Sequence, residues 1–436
     1  MIFRNFQRKS RAFRIGISLM TAVSLMGCTS QDMGQVADSG QLVFEEKNTT
    51  VDFSWWGTDE RHKDYLEGLE KFKKLNPTID VDVSYGVWDG FEKRNRIAMA
   101  SKTAADVMLI NYAWLDEYSK DGNGYYDLNR LSDQIDLSQF TDEDLEYGSR
   151  NGKLNAIPLA YNTTVFLYNT DIYDQYDLDL PETWDDLFAA AKIMRKDGIY
   201  PIGMVKKQFF ISMIAYYEQV SGKKAFANCG RLNINVDGIE DMLLFYKKMV
   251  DEKVIVPIGQ FDTNSFTKGQ TAGIACWVND GVKYGKYLAE NEQDARCGKF
   301  MTIDGKNYSG WYKKPATLYA MSSRTTHPEE AAKLMDYLLN NEDFAKIQGI
   351  EKGFPVSSIA NKAVKEYCDI PEFAIEANDI ISSEKYNLDI MPAEIENSEI
   401  IDAFKNGSDK YIYGEADLNT CAAEIIKAIR EANSIY

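Results

Sequence analysis

The chain has 436 residues, enough for two or three domains, and its 44% hydrophobic and 27% charged residues are typical of a soluble globular protein. It carries 49 basic and 67 acidic residues, which give a formal net charge of −18. Nucleic-acid-binding proteins need a basic face, so this charge argues against a nucleic-acid partner, and solubility is the simplest reason for the excess of acid. The 26 tyrosines and 7 tryptophans fit either a surface that binds ring-shaped ligands or an ordinary large core.

The N-terminal segment predicts export. Residues 1–27 combine a basic start without acids and a short apolar run at 15–26, which is too short to span a bilayer. The run ends in Leu-Met-Gly-Cys, which resembles the lipobox of bacterial lipoproteins and implies that Cys28 is the lipidated N-terminus of the mature chain, with acyl chains such as palmitate. An ordinary cleaved secretory peptide is the alternative. The polar residues at 28–49 predict a flexible tether, so we expect an extracytoplasmic protein anchored to the cell membrane.

Five further cysteines follow, an odd number at spacings that match no zinc or redox motif. We expect most of them to be small buried hydrophobic residues, and one disulfide of undetermined pairing stays open. These cysteines are Cys229, Cys276, Cys297, Cys368 and Cys421.

The folded body begins with alternating strands and helices. The patterns predict strands at 51–56, 79–85 and 106–110, with helices at 60–75 and 91–101 between them. Such alternation predicts an α/β fold with a parallel sheet and right-handed crossovers.

The next segment reads as a strand that leaves one sheet and enters another, because extended runs at 156–162 and 165–168 follow one another with Pro158 in the first. Thr183 is a predicted N-cap, with Asp186 three residues later, for a helix that ends near 195. Further helices are predicted at 209–220, 238–252, 328–340 and 422–432, and strands at 271–277 and 316–322.

Motifs of covalent and metal chemistry are missing from the sequence. It has two histidines, His62 and His327, and no metalloprotease, nucleophile-elbow or phosphate-loop motif. Residues 121–124 look like the start of a calcium loop but lack its later ligands, so we interpret them as a turn. We therefore predict no catalytic residue, no metal and no cofactor.

Aromatic residues accompanied by amides or acids follow several predicted strands. Carboxyl-end loops of a parallel sheet converge on one crevice, where ligands bind. Aromatic rings cover the apolar face of a sugar, and planar amides or carboxylates pair with its hydroxyls. The residues in this pattern are Trp55, Trp56 and Asp59, Trp88 and Asp89, Asn111 and Trp114, Asn162, Trp277 and Asn279, and Trp311.

The order and spacing of these segments resemble the extracellular solute-binding proteins of bacterial ABC importers, in the group that includes maltose- and oligosaccharide-binding proteins. The resemblance covers about residues 50–436. The segments that carry it are 53–62, 86–90, 152–158, 167–170, 180–187, 266–272, 327–332 and 353–356.

The resemblance implies two α/β lobes with parallel or mixed sheets flanked by helices, a hinge, and a ligand cleft between the lobes. It places chain crossings near 158–162, 268–270 and 315–317. The expected first lobe is 50–160 plus 270–315, and the expected second lobe is 161–269 plus 316–436.

The resemblance also implies which residues contact the sugar, by position in the family: Trp56, Asp59, Asn111, Trp114, Asn162, Asn279 and Trp311, with Trp88, Asp89 and Lys314 as further candidates. Asn162 stands where maltose binders carry glutamate, and Asn279 where they stack a tryptophan, so maltose itself is not indicated. Strand alternation puts Trp55 and Trp56 on opposite sides, and the resemblance assigns Trp56 to the cleft.

The sequence thus predicts a monomeric, lipid-anchored solute-binding protein that captures a sugar, most plausibly an oligosaccharide, and delivers it to the permease of an ABC importer. A surface carbohydrate hydrolase is one alternative and would need two opposed carboxylates. A polyamine or other cation binder of the same fold is the second, suggested by the net charge.

Overall fold

The computed structural model describes residues 48–227, 231–306, 308–383 and 388–433. The predicted signal peptide, the Cys28 lipid anchor, nearly all of the tether and Cys229 lie outside these ranges and stay predictions. Among the residues with described structure, no helix combines the length and apolar character that crossing a bilayer requires.

The first part of the chain confirms the predicted alternation of strands and helices. Thr58 caps the first long helix by accepting from the backbone N–H of Arg61, and acids in its first turn and lysines in its last turn suit the helix dipole. The elements are β1 (Thr49–Trp56), α1 (Asp59–Leu75), β2 (Ile79–Gly86), α2 (Trp88–Ser101), β3 (Val107–Ile110), α3 (Ala113–Ser119), α4 (Asp142–Tyr147), β4 (Ser149–Arg150) and β5 (Lys153–Leu154).

The middle of the chain contains the predicted long strand and the helix capped by Thr183, whose capping box with Asp186 is formed. The elements are β6 (Ala156–Asn169), α5 (Thr170–Gln175), α6 (Trp184–Met194), β7 (Gly203–Met204), α7 (Lys206–Ser221), α8 (Val236–Asp251), α9 (Asn264–Thr267), β8 (Gly273–Trp277), α10 (Val278–Glu290), β9 (Ala295–Gly298) and β10 (Tyr312–Met321).

The last part is mainly helical and contains helices that the sequence patterns did not reveal. The elements are α11 (Pro328–Asn340), α12 (Glu342–Gln348), α13 (Ser358–Tyr367), α14 (Glu372–Ile381), β11 (Asp389–Ile390), α15 (Ala393–Glu396), α16 (Ser398–Ile412) and α17 (Leu418–Asn433). Short 3-10 turns lie at Leu128–Leu131, Leu137–Gln139, Arg195–Asp197 and Ile258–Gln260.

The strands follow one another in the order β2-β1-β3-β10-β6-β8-β7, and β9 and β11 pair with β6 and β10. β1 is parallel to both β2 and β3, as predicted, whereas β10 is antiparallel to β3 and β6. The first half of β6 pairs with β10 and the second half with β8, so β6 does pass from one sheet to the next.

Three hydrophobic cores surround these strands. One lies around β1, β3 and the first half of β6, and we call this body the first lobe. The other two cover opposite faces of β8 and the second half of β6, because alternate side chains along these strands enter different cores. These two cores together form the second lobe.

The lobes divide the chain differently from the expectation. Residues 272–312 belong to the second lobe, because β8 and β9 pair with the second half of β6. Residues 318–339 belong to the first lobe, because β10 returns the chain to β3 and α11 packs into that core.

The chain crossing expected near 268–270 also lies elsewhere. Residues 268–270 stay within the second lobe, where the Gln270 carbonyl accepts from the Tyr200 N–H. The chain instead crosses between α12 and α13, since Phe344 of α12 packs in the first lobe, whereas Ala345 of α12 and Ala360 of α13 pack in the second.

Smaller predictions can be checked as well. Asp121 Oδ1 accepts from the Asn123 N–H at 2.9 Å, so residues 121–124 do form a turn. Of the four described cysteines, Cys276, Cys297 and Cys421 are buried, and all four are free thiols.

Candidate functional site

Three tryptophans meet where the parallel strands of the first lobe end. Trp56 ends β1, Trp88 begins α2, and Trp114 lies in the first turn of α3. Their ring centroids are 5.0 Å (Trp56–Trp88), 5.6 Å (Trp56–Trp114) and 5.8 Å (Trp88–Trp114) apart. The convergence expected at the carboxyl ends of the strands is therefore present, and we call this group the tryptophan cluster.

The members of the tryptophan cluster differ in what they offer to solvent. Trp88 is 41% exposed, Trp56 9% and Trp114 2%. The Trp88 and Trp114 rings are nearly parallel, with an interplanar angle of 15°. Trp88 is thus the ring available to a ligand, and Trp56 and Trp114 support it from behind.

Trp55 takes the opposite side of β1, as strand alternation predicts. It is fully buried in the first lobe, where its ring packs against Tyr65 and Tyr85, and its indole N–H donates to His62 Nδ1 at 3.1 Å. Burial lowers the pKa of His62, which favours the neutral imidazole that accepts this bond.

The polar residues predicted beside the cluster have local roles in the structure. Asn111 Oδ1 accepts from the Ala113 N–H at 3.0 Å and so helps α3 to begin. Asp59 is exposed in the first turn of α1. Asp89 lies in the first turn of α2, and its predicted contact stays a prediction.

A second polar group forms where β6 and β10 enter the second lobe. Asn162 Nδ2 donates to Asn279 Oδ1 at 2.8 Å, and Asn162 Oδ1 accepts from the N–H groups of Thr163 and Val278, each at 3.1 Å. Since the N-cap residue of α10, Trp277, provides no side-chain cap, Asn162 does so from a neighbouring strand. Asn162 therefore positions α10 and Asn279.

Lys314 lies next to Asn162 in the β10–β6 register. Its ammonium group is 4.6 Å from the centroid of the Trp277 ring and donates to Glu396 Oε1 at 2.6 Å. Lys207, from the first turn of α7, contacts the same carboxylate oxygen at 3.3 Å. The sequence pattern includes Trp277 as well as Lys314, but the resemblance selected Asn279 rather than the partly exposed Trp277 ring as the ligand contact of this segment.

Burial and charge act in opposite directions in this group. Burial lowers the pKa of Lys314, and the Glu396 carboxylate partly offsets this. Burial acts to raise the pKa of Glu396, but the ammonium groups of Lys314 and Lys207 outweigh it, and the pKa is lowered. Glu396 is therefore held as a carboxylate.

Lys313 points to a different group on the crossing strands. Its ammonium nitrogen is 5.0 Å from the Tyr161 ring centroid and 3.2 Å from Glu143 Oε1. The Tyr161 hydroxyl donates to Asp144 Oδ1 at 2.5 Å, and the Tyr147 ring packs edge-on against Tyr161. Two partly exposed tyrosines thus lie beside the crossing; the only signal for them in the sequence was the position of Tyr161 next to Asn162.

Trp311 does not belong to the site, and its predicted ligand contact is wrong. It is 1% exposed in the core of the second lobe, its indole N–H donates to the Met301 carbonyl at 2.8 Å, and its ring packs against Trp184 and Phe300. The Trp311 ring, just before β10, is enclosed by α6 and the 300–303 segment.

A bifurcated ion pair ties the tryptophan cluster to the third crossing. Arg61 Nε donates to both carboxylate oxygens of Glu351, at 2.8 and 3.0 Å, and Arg61 Nη1 donates to the Trp56 carbonyl at 3.1 Å. A Cβ atom at Gly57 would lie 2.3 Å from Arg61 Cδ, so a glycine is needed for this close approach.

Beneath this ion pair lies a buried lysine. Lys352 donates to the Tyr65 hydroxyl, which is hydrogen bonded to the Tyr319 hydroxyl at 2.6 Å. Burial holds the pKa of Lys352 well below its usual range. This network fixes the 350–353 turn against α1 and β10.

Two cavities lie away from these residues. One, of about 570 Å³, is an open depression lined by residues of α13 and α14. The other, of about 280 Å³, lies between α2 and the β1–β2 pair. Neither cavity is lined by a predicted ligand-binding residue. Exposed rings and hydrogen-bonding groups meet instead at the converging strand ends, which are therefore the candidate site. Within the described ranges, no cluster of His, Cys, Asp or Glu is placed to hold a metal.

Residues 44–343 match the family described as bacterial extracellular solute-binding protein. The arabinooligosaccharide-binding protein of Bacillus subtilis (strain 168) is 26% identical over 255 residues, 56% of this chain and 55% of that protein. The periplasmic oligogalacturonide-binding protein of Yersinia enterocolitica, solved with saturated digalacturonic acid, superposes with a TM-score of 0.76 at 26% identity, covering 88% of this chain and 98% of that one. A de novo designed cysteine esterase superposes with a TM-score of 0.81 at 26% identity, covering 89% and 99%.

Proposed function

Because this chain belongs to the bacterial extracellular solute-binding proteins, we propose that it captures an oligosaccharide outside the cytoplasm and delivers it to the membrane permease of an ABC importer. The observation that carries the proposal is the tryptophan cluster, in which one exposed ring, Trp88, stands on two buried ones at the carboxyl ends of parallel strands. The arabinooligosaccharide- and oligogalacturonide-binding relatives support a sugar as the ligand.

A stacked and supported ring suits a sugar for a physical reason. A pyranose has an apolar face that gains free energy when an aromatic ring covers it, and its hydroxyls then need partners at the edge of the ring. Asn111 and Asp59 follow the same strand ends as the cluster. Lys314 lies on the crossing strand β10 beside Asn162, and Asn279 of α10 is hydrogen bonded to Asn162. We assign these residues to the hydrogen bonds of the ligand.

Delivery requires that the two lobes close on the ligand, with β6, β10 and the segment after α12 as the hinge. A shift from 1:99 to 99:1 in favour of the closed form needs a difference in binding free energy of about 5.5 kcal/mol between the two forms. Ring stacking contributes about 0.5–1.5 kcal/mol beyond the buried area, and each buried hydrogen bond about 1 kcal/mol. One supported ring and four or five hydrogen bonds are therefore sufficient.

Attachment to the membrane is the second part of the proposal. It rests on the segment Leu25-Met26-Gly27-Cys28 and the basic and apolar residues before it. Labelling of cells with a radioactive or clickable palmitate tests it: the wild-type chain should carry the label and Cys28→Ala should not. Label on Cys28→Ala, or none on the wild type, would contradict the anchor.

Binding is tested by calorimetric titration of the full chain with a panel of neutral and acidic oligosaccharides, followed by chromatography of the recovered sugar. We expect one class of saccharide to bind with a stoichiometry of one and to be recovered intact. Shortened sugar would mean that the chain is a hydrolase. Binding of spermidine rather than any sugar would favour a cation carrier, which the two lysines on one carboxylate at the crossing argue against.

A further inference from the structure

The group formed by Lys207, Lys314, Glu396 and Trp277 has a charge that its neighbours do not balance, and we call it the lysine pair site. We propose that this site binds the carboxylate of an acidic saccharide, so that the ligand contains a uronic acid. The inference rests on the proposed function, because it assigns a chemical class to the sugar that the chain carries.

The charge balance is the first argument. Two ammonium groups share one carboxylate oxygen, Glu396 Oε1, at 2.6 Å from Lys314 and 3.3 Å from Lys207. Among the described residues, the charges that shift the pKa of Lys314 are those of Glu396 and Lys207, and those that shift the pKa of Glu396 are the two lysines. The group therefore carries one net positive charge, in a protein whose formal net charge is −18.

The position of Lys207 is the second argument. It lies in the first turn of α7, which contains no acidic residue and whose N-cap, Val205, makes no side-chain capping bond. A cation at this end of a helix is repelled by the positive end of the helix dipole. The neighbouring Lys206 is compensated by an ion pair with Asp402, whereas Lys207 adds a second cation to a carboxylate that Lys314 already neutralises. The helix dipole and Lys207 both raise the positive potential at this position. This potential would stabilise a bound anion but does not stabilise the helix.

Burial is the third argument. The side chain of Lys314 is 16% exposed, so it is already largely removed from water. The side chain of Lys207 is 38% exposed and is still accessible to a ligand. A neutral sugar that covered this site would remove water from a net positive charge without replacing it, which is unfavourable. A carboxylate would instead complete two ion pairs with charge-assisted hydrogen bonds.

Trp277 explains why the anion should belong to a sugar. Its partly exposed ring packs directly beneath the Lys314 ammonium group. Trp277 is the residue just before α10, the helix that Asn162 caps and that carries Asn279. A ring for the apolar face, an amide for hydroxyls and two ammonium groups for a carboxylate thus lie side by side. In a uronic acid the carboxylate is bonded directly to the sugar ring, so one monosaccharide unit can contact all three.

The experiment compares acidic and neutral ligands on the full chain. Trisaccharides of galacturonic, glucuronic and mannuronic acid are titrated by calorimetry beside neutral hexose trisaccharides of the same linkages, at low and high salt. We expect an acidic trisaccharide to bind at least 10-fold more tightly than its neutral counterpart and to weaken as salt is raised. A neutral sugar that binds as tightly as every acidic one would overturn the acidic ligand and leave the proposed function intact, whereas failure of both classes would contradict the proposed function itself.

Variants then test the residues. Lys207→Gln keeps the Lys314–Glu396 pair and should weaken the acidic ligand about 10-fold while leaving a neutral ligand unchanged. The double variant Lys314→Gln/Glu396→Gln removes the ammonium group over the Trp277 ring together with its carboxylate partner and leaves the more exposed Lys207 as the one charge of the group, and it should weaken the acidic ligand as well. Lys206→Gln, one residue away and paired with Asp402, is the matched control and should bind normally. Acidic binding that survives both test variants would overturn the assignment to this site.

Discussion

Replacement of Trp88 by alanine should weaken ligand binding by nearly two orders of magnitude while the chain stays folded. Trp88 is 41% exposed, and a large aromatic side chain buries up to about 250 Å², so a ligand that covers the rest removes about 100 Å² from water. At about 25 cal/mol per Å² this area contributes about 2.5 kcal/mol to binding, which corresponds to a loss in affinity of nearly two orders of magnitude.

The fold should survive the change, because Trp88 lies at the edge of the cluster and not in its core. Its ring contacts are with Trp56 and Trp114, and aromatic pairs of this kind contribute about 0.5–1.5 kcal/mol each. We expect a melting temperature lower by a few degrees.

The assay is a calorimetric titration of wild type and Trp88→Ala with the saccharide that binds, beside thermal unfolding of both proteins without ligand. Tyr413→Ala is the control, since Tyr413 has a similar exposed fraction, 47%, at the end of α16. A dissociation constant for Trp88→Ala within twofold of wild type, or an equal loss in Tyr413→Ala, would refute the reasoning.

Three further substitutions test the surroundings of the site. Arg61→Ala leaves a largely buried Glu351 carboxylate without its partner, and we expect a loss of about 2 kcal/mol in the free energy of chemical unfolding together with weaker ligand binding. Arg61→Lys should recover only part of both, because lysine keeps a cation beside Glu351 but has no second nitrogen to donate to the Trp56 carbonyl. Burial, together with the charge of Glu351, raises the pKa of Asp64 to about 6, above the 3.8 expected when unfolded, so its contribution to stability is complete below pH 4 and is lost as the pH rises through 6. After allowance for the partial exposure of Asp64, Asp64→Asn should reduce the fall in unfolding free energy between pH 4 and 7 by about 1 kcal/mol. Identical pH profiles of stability for wild type and variant would contradict the assignment. Asn162→Ala should lower the unfolding free energy by about 1–2 kcal/mol through loss of the cap on α10. Asn162→Asp keeps the accepting oxygen and should lower the unfolding free energy by less. An equal loss of unfolding free energy in both variants would count against the capping role.

The first lobe could be predicted closely because its signals are local. The alternation of β1 and β2, the helical spacing in α1 and the cap at Thr58 are each determined by neighbouring residues, and the parallel pairing of β1 with β2 follows from them. The convergence of Trp56, Trp88 and Trp114 then follows from the direction of the strands.

The division into lobes could not be predicted, because it depends on long-range pairing. The return of β10 to β3 and the pairing of β8 with the second half of β6 involve residues more than 100 positions apart, and no local pattern encodes them. The same limit explains Trp311, since its ring is enclosed by Trp184, which lies more than 100 positions away in the chain.

Part of the candidate site could be predicted from the sequence and part could not. Lys314 and Asn162 could be proposed from their place in the crossing strands, but Glu396 and Lys207 come from α15 and α7 and carry no signal that associates them with Lys314. The Arg61–Glu351 pair spans 290 positions and was equally invisible, although both residues lie in segments that the family resemblance had singled out or bordered.

A crystal structure of the full chain with the saccharide that binds would test the central claim most directly. The account predicts that one sugar ring lies against the exposed face of Trp88, between the two lobes and beside the crossing strands. Density for the sugar in the cavity between α2 and the β1–β2 pair, or in the depression beside α13 and α14, with Trp88 left uncovered, would contradict it.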